Sequence, residues 1–586
     1  MLILLVIFLV APVSADNQPG LKGWPAILQD YKDGLIDSDQ KIELALTLLI
    51  NPQNLPPRYQ IDKPMRDATS MILDIMTVDG KIVPEIVNQH DLVLTRVNKQ
   101  NQYNTPEGHF RIHYDTSGTH VVYQATVDID PADGVPDFVN RTAEYFERSW
   151  YYQSDTLGYD TPPFDGGNGG GTDLYDVYMH RYSGAYGVTW PESQTNQRPG
   201  RNNDMTSYIY VDPAYNGFGY PDRTLPMKVT SAHEFFHAVQ FAYNASAGGW
   251  FMENCATWME DMMWDDINDN YYYMSSFFNN PHKSIHTSNG GFEYGAFVWP
   301  TYLQERYGHE LIKTIWEWTI YTNALNAVLA VLDEYASGII DDYSTFATWN
   351  YLTGTRNDGE HYEEGSAYSS VRIMRTHTSY PTGDNTSWMQ PELFGCNYVL
   401  FARAGNTGNL RITFDGGDSG EWIVPVVKST GTNQHVFDFI SLNNYDEGEI
   451  LIPNFENYVG VAIIPCLVGG PSSNFDYSAE LDTTTSIDEI SGNLPDDFKL
   501  HGNYPNPFNG STIISFEAPE SYSGNAEVDI YDILGKRVNK VDVLIKGGQN
   551  HLLLDDWNND NLVSGLYYYR LIVGDEILTG KMTYLK

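Results

Sequence analysis

The chain has 586 residues, of which 34 are basic and 76 are acidic, and its net charge is −42. This length exceeds what one hydrophobic core organises, so a multidomain protein is expected. The hydrophobic content of 42% argues against disorder, and the acidity argues against nucleic acid and anionic membranes as partners.

Residues 1–15 have the pattern of a secretory signal peptide. The apolar run Leu2–Val10 is shorter than the about 20 residues that a membrane span needs. Val13-Ser14-Ala15 supplies the small residues of a cleavage site, although no Lys or Arg lies near the start. The pattern predicts a secreted or cell-surface protein with no transmembrane segment in the mature chain.

Residues 16–105 are predicted to be mixed but largely helical. Asp37-Ser38-Asp39 is typical of a helix cap, and Pro56-Pro57 is expected to end the helical stretch that follows it. A segment between a signal peptide and a later catalytic region is either a removed propeptide or a retained structural layer. Both alternatives stay open from the sequence, and residues 100–105 are expected to form a polar linker.

From Phe110 the pattern changes to strands, at residues 110–114, 120–123, 174–179 and 207–211. A strand beside a catalytic cleft can pair with an extended substrate, and either of the last two strands suits that role. After the strand at 120–123 come four carboxylates at short spacing, which suit Ca²⁺ or else form an Asp-rich turn before a helix: Asp128, Asp130, Asp133 and Asp137.

His233-Glu234-Phe235-Phe236-His237 reads H-E-x-x-H, and apolar residues recur around it at helical spacing. Two imidazoles four positions apart lie on one face of a helix and can hold one Zn²⁺. Glu234 between them then reaches a metal-bound water as a general base. The alternative is that both histidines are packing residues of an amphipathic helix.

A third ligand is expected from the next helix, which begins after Gly248-Gly249. Glu253 lies 16 residues after His237, and Glu260 is a rival because it faces the same way seven residues later. Two His, one Glu and a water would complete a catalytic zinc site. Cys255 points roughly 200° away from Glu253 on a helix and is interpreted as a buried hydrophobe.

The pair H-E-F-F-H and W-F-M-E-N-C-A resembles the gluzincin zinc metallopeptidases. The resemblance implies an α+β zincin-like catalytic domain over residues 106–382, with zinc bound by His233, His237 and Glu253. Asn254 replaces the usual Gly of that motif. Thr257 replaces an Asp that in many gluzincins bonds a ligand imidazole, which leaves that partner unassigned, with Glu260 and Asp261 nearby.

Tyr294 in E-Y-G-A-F resembles the Tyr of a Y-x-x-G region in some gluzincins, and this implies a catalytic group that polarises the scissile carbonyl. The match departs from the pattern because Gly295 follows directly. The alternative is packing, as for most of the 42 Tyr. The same stretch is expected to open a helix that runs to Arg306 with a kink at Pro300.

Residues 383–482 alternate in short strands and turns, for example at Leu410–Phe414, which is typical of a β-sandwich. Cys396 and Cys466 both lie there, and pairing between them is possible in an oxidising compartment. Residues 483–497 are polar and apolar-poor, which predicts a linker.

Residues 498–586 carry N-Y-P-N-P-F-N, Y-D-I-L-G, G-L-Y-Y-Y-R and a terminal K-M strand, in that order. This series resembles the Ig-like C-terminal sorting domain of type IX secretion substrates. The resemblance implies a bacterial protein that is exported to the medium or the cell surface, with the type IX machinery as its partner.

Two functions of different classes follow. The first is a secreted zinc endopeptidase that acts on protein or peptide substrates, with Zn²⁺ as cofactor and Ca²⁺ as a possible structural ion. The second is a cell-surface binding or adhesion protein built on an inactive zinc-peptidase fold. An intact Glu234 favours the first, since an inactive site needs no base.

Overall fold

A computed structural model describes residues 21–90, 96–482 and 498–584, apart from positions 196, 217–218, 337, 418, 432, 444, 505, 509–511, 533–535, 555–563 and 574–575. The predicted signal peptide and the predicted linker at 483–497 lie outside these residues. So do parts of the N-Y-P-N-P-F-N motif and of the Y-D-I-L-G turn. No helix in the described ranges is long and apolar enough to cross a membrane.

The chain divides into two compact units. The first comprises Met1–Asn270 with Ser288–Tyr294, and the second comprises Tyr271–Thr287 with Gly295–Lys586. Every residue predicted for the zinc site belongs to the first unit.

The first unit begins with a helical layer. Asp37 accepts a bond from the Gln40 backbone N–H while Gln40 bonds back to Asp37, which is a complete capping box. The predicted helical character is therefore observed, with short strands added. The elements are α1 (Gly23–Lys32), α2 (Ser38–Ile50), β1 (Met65–Asp67), α3 (Thr69–Met76), β2 (Thr77–Val78) and β3 (Lys81–Ile82).

A six-stranded sheet follows, in the order β1-β7-β8-β6-β5-β4. The inner strands β5, β6 and β8 are parallel, whereas β7 runs antiparallel to β8 and β4 antiparallel to β5. The expected linker at 100–105 is thus mostly a strand, and the expected strand at 120–123 is only an isolated bridge at Val121. The strands are β4 (Asn101–Asn104), β5 (Phe110–Tyr114), β6 (Tyr175–Met179), β7 (Ala185–Gln194) and β8 (Met205–Val211).

The N-terminal helical layer and the sheet share one hydrophobic core. Leu48 and Ile72 from the helices pack in the same cluster as Trp190, Tyr208 and Tyr210 from the sheet. Burial of large apolar side chains is the main stabilising term in such a core. Residues 24–87 are therefore built into the first unit in this structure.

Three longer helices complete the first unit: α4 (Asp137–Trp150), α5 (Thr224–Gln240) and α6 (Gly249–Trp264). From Met227 to Gln240, α5 is buried apart from Lys228, because it packs between α4, α6 and strands β7 and β8. A helix enclosed in this way explains why its apolar residues are not confined to one face.

The second unit contains mainly helices before residue 352. Pro300 lies in the first turn of α9, where a missing backbone N–H is tolerated. The expectation of one helix kinked at Pro300 is therefore wrong, because the chain breaks at residues 296–297 instead. The helices after α6 are α7 (Tyr271–Phe278), α8 (Phe292–Gly295), of which residues 292–294 belong to the first unit, α9 (Val298–Tyr307), α10 (His309–Thr319), α11 (Ala324–Tyr335) and α12 (Ile339–Tyr351).

A β-sandwich follows, as two sheets around one core that includes Val399, Ile412, Val424 and Tyr477. It begins at Arg375, before the boundary predicted at 383. Its strands are β9 (Arg375–His377), β10 (Thr382–Asn385), β11 (Gly395–Cys396), β12 (Val399–Ala402), β13 (Asn409–Asp415), β14 (Glu421–Gly431), β15 (Gln434–Ile440), β16 (Glu447–Ile452), β17 (Gly460–Ile463), β18 (Cys466–Gly469) and β19 (Asp476–Asp482).

The two cysteines of the sandwich lie opposite each other. Cys396 on β11 is the direct cross-strand partner of Cys466 on β18, and both are buried free thiols here. The structure thus brings the two predicted partners together without a disulfide between them.

The C-terminal region is β-rich, with a core that includes Phe508, Phe516, Val528 and Tyr569. Its five described strands belong to one continuous antiparallel sheet, because the long β21 pairs with β20, β22 and β23 in turn. The two separate sheets expected of an Ig-like sandwich are not seen among these strands. They are β20 (Lys499–Tyr504), β21 (Thr512–Asp532), β22 (Arg537–Leu554), β23 (Gly565–Val573) and β24 (Glu576–Tyr584).

Candidate metal centre

Helices α5 and α6 bring the predicted ligands together. His233 and His237 are one turn apart on α5, and the chain then turns through Gly248, whose φ of +131° suits glycine. Helix α6 begins at Gly249 and packs against α5, so that Glu253 on its first turns faces both imidazoles. The helix end, glycine turn and second helix predicted from the sequence are all observed.

The ligand atoms of these residues face one common point. The Nε2 atoms of His233 and His237 lie 3.0 Å apart. Glu253 Oε2 lies 3.2 Å from His233 Nε2 and 3.6 Å from His237 Nε2. Four ligands at about 2.0–2.1 Å in a tetrahedron would be separated by about 3.3 Å, which matches these distances.

A fourth residue joins the cluster that was not predicted. Asp67, at the end of β1, places Oδ2 3.9 Å from His237 Nε2. One ligand atom from each of Asp67, His233, His237 and Glu253 lies within 4.8 Å of the others. Nothing in the local sequence R-D-A-T-S marks Asp67 as a ligand, because only the fold brings β1 beside α5.

The cluster is electrostatically unbalanced without a cation. Burial, and then the neighbouring Asp67 carboxylate, raise the pKa of Glu234 well above its ordinary value. Burial, and then Glu253, raise the pKa of Asp67. Among the described residues, Glu234 Oε1 and Glu253 Oε2 have no hydrogen-bond donor. Orphaned carboxylate oxygens beside two imidazoles fit a divalent cation that both residue types bind well.

The pKa values of the two imidazoles are shifted in opposite directions. Burial, and then the adjacent His237, lower the pKa of His233 well below its usual range. Burial alone would lower the pKa of His237 as well, but Glu253 and Asp67 outweigh it and raise that pKa. His233 is therefore held as the neutral imidazole that metal binding requires.

Both histidines are oriented through their other ring nitrogen. His233 Nδ1 lies 2.6 Å from Glu260 Oε1, and His237 Nδ1 lies 2.8 Å from Gln240 Oε1. Glu260 also forms an ion pair with buried Arg66, whose other guanidinium nitrogen lies 2.7 Å from Asp269. Such partners fix the tautomer and the ring direction of a ligand imidazole. The structure thus separates the two rivals, since Glu253 faces the common point and Glu260 supports His233.

Glu234 is held by two hydroxyl groups. Its Oε2 accepts a bond of 2.8 Å from Thr189 Oγ1 on β7 and lies 3.2 Å from Thr69 Oγ1. Gly187 on β7 lies directly against this carboxylate, and a Cβ at that position would collide with Glu234 Oε1. The predicted base therefore keeps one oxygen fixed and directs the other, Oε1, away from these donors.

Tyr294 also reaches the cluster, as predicted. Its hydroxyl lies 3.5 Å from Asp67 Oδ2, and its ring stacks on His233 with ring centres 6.3 Å apart. Burial, and then Glu253, raise the pKa of Tyr294 well above its ordinary value. Tyr294 is therefore a neutral hydrogen-bond donor beside the candidate metal position, which is the form that a donor to an oxyanion needs.

The four predicted calcium ligands form an Asp-rich turn ahead of α4. Asp128 accepts from the backbone N–H groups of Asp133 and Gly134, and Asp137 accepts from those of Ile129 and Asp130. Asp130 also bonds to Arg141 and Asp133 to Asn140. In the described part of the chain, these carboxylates are not among the groups that converge on one point. The turn alternative is seen, and calcium binding stays a prediction.

Two parts of the chain match known families. Residues 217–444 match a family of unknown function (DUF6055), and residues 503–584 match the secretion system C-terminal sorting domain. Each match covers less than half of the chain. The second confirms the predicted sorting domain and shows that the protein is secreted or displayed on the cell surface. It also implies an interaction with the secretion machinery. No curated protein matches the chain.

Solved structures resemble only part of the chain. A GH2 β-galacturonidase from Eisenbergiella tayi is 12% identical over 35% of this chain and 36% of its own, with a TM-score of 0.14. A glycosyl hydrolase family 2 member from Bacteroides cellulosilyticus is 13% identical over 32% and 27%, with a TM-score of 0.12. A β-1,2-glucanase from Parabacteroides distasonis is 11% identical over 31% and 28%, with a TM-score of 0.11.

The chain thus spans about a third of these structures, and their TM-scores are too low to indicate a shared fold or activity. The resemblance to gluzincins rests on the residues alone and remains a prediction.

The raised pKa of Glu234 predicts how the metal-free protein responds to pH. The unfolded chain ionises this carboxyl near pH 4.3. The folded chain resists ionisation, so its stability falls as pH rises from there to the raised pKa. Glu234→Gln removes this pH-dependent loss of stability. In chelator, its urea unfolding midpoint should exceed that of the wild type, with a gap that widens as pH rises. Exposed Glu107→Gln is the control, and a gap independent of pH would contradict the assignment.

The sorting-domain match predicts a separable export signal. A chain that ends at Thr485 lacks residues 503–584 but keeps every residue of the metal centre. It should therefore fold and bind metal in a surrogate host, yet stay within the cell envelope of the native host. Immunoblots of medium and cell fractions measure this. Normal release of the shortened chain would refute the sorting role, and loss of metal binding would show that the domain supports the fold.

Proposed function

We propose that the protein is a secreted zinc-dependent endopeptidase whose catalytic unit has a zincin-like arrangement. The convergence of His233, His237 and Glu253 on one buried point carries this proposal, together with the position of buried Glu234 between the two histidines on α5. Two imidazoles and one carboxylate form a donor set that suits Zn²⁺, and three protein ligands are typical of catalytic zinc.

A bound zinc ion would lower the pKa of a coordinated water and polarise a carbonyl group. Glu234 would serve as the general base and then as the proton donor to the leaving amine, with Oε1 as its oxygen left without a hydrogen-bond partner among the described residues. Tyr294 donates its hydroxyl to the oxyanion that develops on the carbonyl.

The surrounding residues hold these groups in place. Glu260 and Gln240 keep each Nε2 directed at the common point, and Thr189 holds the general base. The low dielectric of this enclosed volume strengthens each of these interactions. An enclosed constellation of this kind supports hydrolytic chemistry more than it supports simple ligand binding.

A peptide substrate is supported by the sheet. Strand β7 carries Gly187 and Thr189 directly beside Glu234. It runs antiparallel to its inner neighbour β8. An extended peptide binds such a strand by continuing the sheet, which would place a backbone carbonyl near the metal. This supports β7, and neither of the two strands predicted from the sequence, as the substrate strand.

The protein should bind about one Zn²⁺ per chain, because the described residues contain one converging group of ligand atoms, which includes His233, His237 and Glu253. His233→Ala and His237→Ala should each abolish stoichiometric zinc, as measured by elemental analysis after dialysis. Glu253→Ala should weaken zinc binding more than Glu260→Ala, since loss of an outer partner costs about 10–100-fold in affinity. His309→Ala, which lies in the second unit, is the control. Full zinc in both histidine variants would place the metal elsewhere.

Glu234→Gln should retain zinc but lose peptide hydrolysis, because an amide cannot take a proton. Casein and a fluorogenic peptide mixture are incubated with both proteins, purified from the medium of the native host so that maturation is identical. A variant rate within about tenfold of the wild-type rate would contradict the general-base role. Zinc binding without hydrolysis by either protein would instead favour the cell-surface binding protein.

A further inference from the structure

The side chains of the candidate metal centre are enclosed by the residues that the structure describes. His233 is 1% exposed, Asp67 3%, and Glu234, His237 and Glu253 are 0% exposed. Residues 65–76 of the N-terminal segment, which form β1 and α3, contact several of these side chains and are called the covering segment. This covering segment is the part of the molecule that the proposed function does not use.

The first element of the covering segment lies along β7. Asp67 is the parallel partner of Gly187, and Met65 is the partner of Ala185. The Met65 N–H donates to Gly184 O at 2.7 Å, and the Ala68 N–H donates to Gly187 O at 3.3 Å. Without β1, strand β7 would be the edge of the sheet at these positions, since its other side pairs with β8. The segment therefore occupies the edge where an extended peptide would bind.

The second element begins directly over the carboxylates. The Ser70 N–H donates to Glu253 Oε1 at 3.2 Å. The Thr69 hydroxyl lies 2.7 Å from Asp67 Oδ1 and 3.2 Å from Glu234 Oε2, and it accepts from the Thr189 N–H at 2.9 Å. One turn of α3 thus engages the base, a zinc ligand and the substrate strand together.

Asp67 completes the set of ligand atoms around the common point. Its Oδ2 lies 3.9 Å from His237 Nε2, and with the other three ligand atoms it forms a group within 4.8 Å. A hydrolytic zinc site needs that fourth position for water. The carboxylate of Asp67 also accepts hydrogen bonds from Thr69 and Tyr294, which hold Asp67 in place.

We propose that Asp67 is the fourth metal ligand and that residues 65–76 form a built-in plug, which keeps the enzyme latent until they move away. This inference rests on the proposed function, because it assigns the plug to the same metal centre. From the sequence, residues 16–105 are either a removed propeptide or a retained structural layer. The inference gives part of that segment an inhibitory role, as a propeptide would have.

Helix α3 of the plug is packed in the core, and the chain becomes exposed directly after it. Met71, Ile72, Ile75 and Met76 of α3 pack in the core shared with the sheet, which holds the plug in the intact chain. Directly after α3, the β2–β3 hairpin turns at Asp79-Gly80, both at positive φ and both exposed. A cut at this turn would free the C-terminal end of α3, while α1 and α2 stay packed on the sheet.

The ligand assignment is tested on the full chain loaded with Co²⁺, whose visible absorption reports the coordination sphere. Acetohydroxamate, a small metal-binding probe, should leave the wild-type spectrum unchanged but change that of Asp67→Ala, because the fourth position has become free. Chelator should also remove the metal from Asp67→Ala faster, by at least about tenfold, the smallest loss usual for an outer partner.

Asp74→Ala is the matched control, because Asp74 lies on α3 within the same plug but accepts a bond of 3.0 Å from Lys41, which is not among the residues of the metal centre. It should behave as the wild type in both measurements. Asp67→Asn keeps the size of the side chain and serves if Asp67→Ala does not fold. Since a neutral amide is a weaker ligand, it should also speed metal release.

The plug itself is tested with a site-specific protease sequence inserted between Asp79 and Gly80. Casein hydrolysis should rise after the cut, and it should not rise when the same insertion carries Glu234→Gln. Equal hydrolysis before and after the cut, at a rate above that of the Glu234→Gln protein, would overturn the plug.

The two proposals fail in different ways. If the wild type binds no metal, or if His233→Ala binds it fully, the proposed function itself is wrong. If metal binds through the histidines but acetohydroxamate already changes the wild-type spectrum, only the role of Asp67 is wrong. If the probe reaches the metal only in Asp67→Ala and the cut gives no hydrolysis, Asp67 is a ligand of a permanently closed site and latency is wrong.

Discussion

The first unit is organised around carboxylates that a water-free interior does not tolerate alone. Asp67, Glu234 and Glu253 surround the same small volume, and two like charges about 4 Å apart repel by about 4 kcal/mol at an effective dielectric constant of 20. Proteins relieve such a cluster by protonation or by a cation. Since two imidazoles face the same point, a divalent cation would relieve the repulsion and satisfy the orphaned oxygens together.

The elements around this cluster are positioned by a second layer of charges. Arg66 on β1 contacts Glu260 on α6 and Asp269 beyond that helix, and Glu260 in turn orients His233 on α5. Three separate parts of the chain are thereby tied to one imidazole. Breaking a buried pair by removing one partner is strongly destabilising, so this network holds β1 against the helices as firmly as it orients the ligand.

The sequence allowed the local part of the site to be predicted, because spacing within a helix fixes which side chains share a face. His233, His237 and Glu234 needed only helical periodicity, and Glu253 needed only a short turn between two helices. Asp67 and Thr189 had no such signal, since they reach the site through strand pairing over more than a hundred residues. The partner of His233 was the Glu260 that sequence reasoning weighed as a ligand, and only its direction in space separates the two roles. Helix breaks and strand edges were missed for the same reason, because tertiary packing decides them.

The contacts of Thr69 connect closure of the site to its chemistry. Its hydroxyl lies between Asp67 and Glu234 and accepts a bond from the backbone of β7. Any motion that withdraws Asp67 from the metal position therefore also removes a donor from the base and uncovers the strand edge that would bind a peptide. In the proposed mechanism, a free metal position, the loss of one hydrogen bond to Glu234 and an open edge of β7 would arise together, since residues 65–76 occupy all three places. Thr189 on β7 would still hold Glu234 Oε2 after this movement, so the proposed base keeps its place while the site opens.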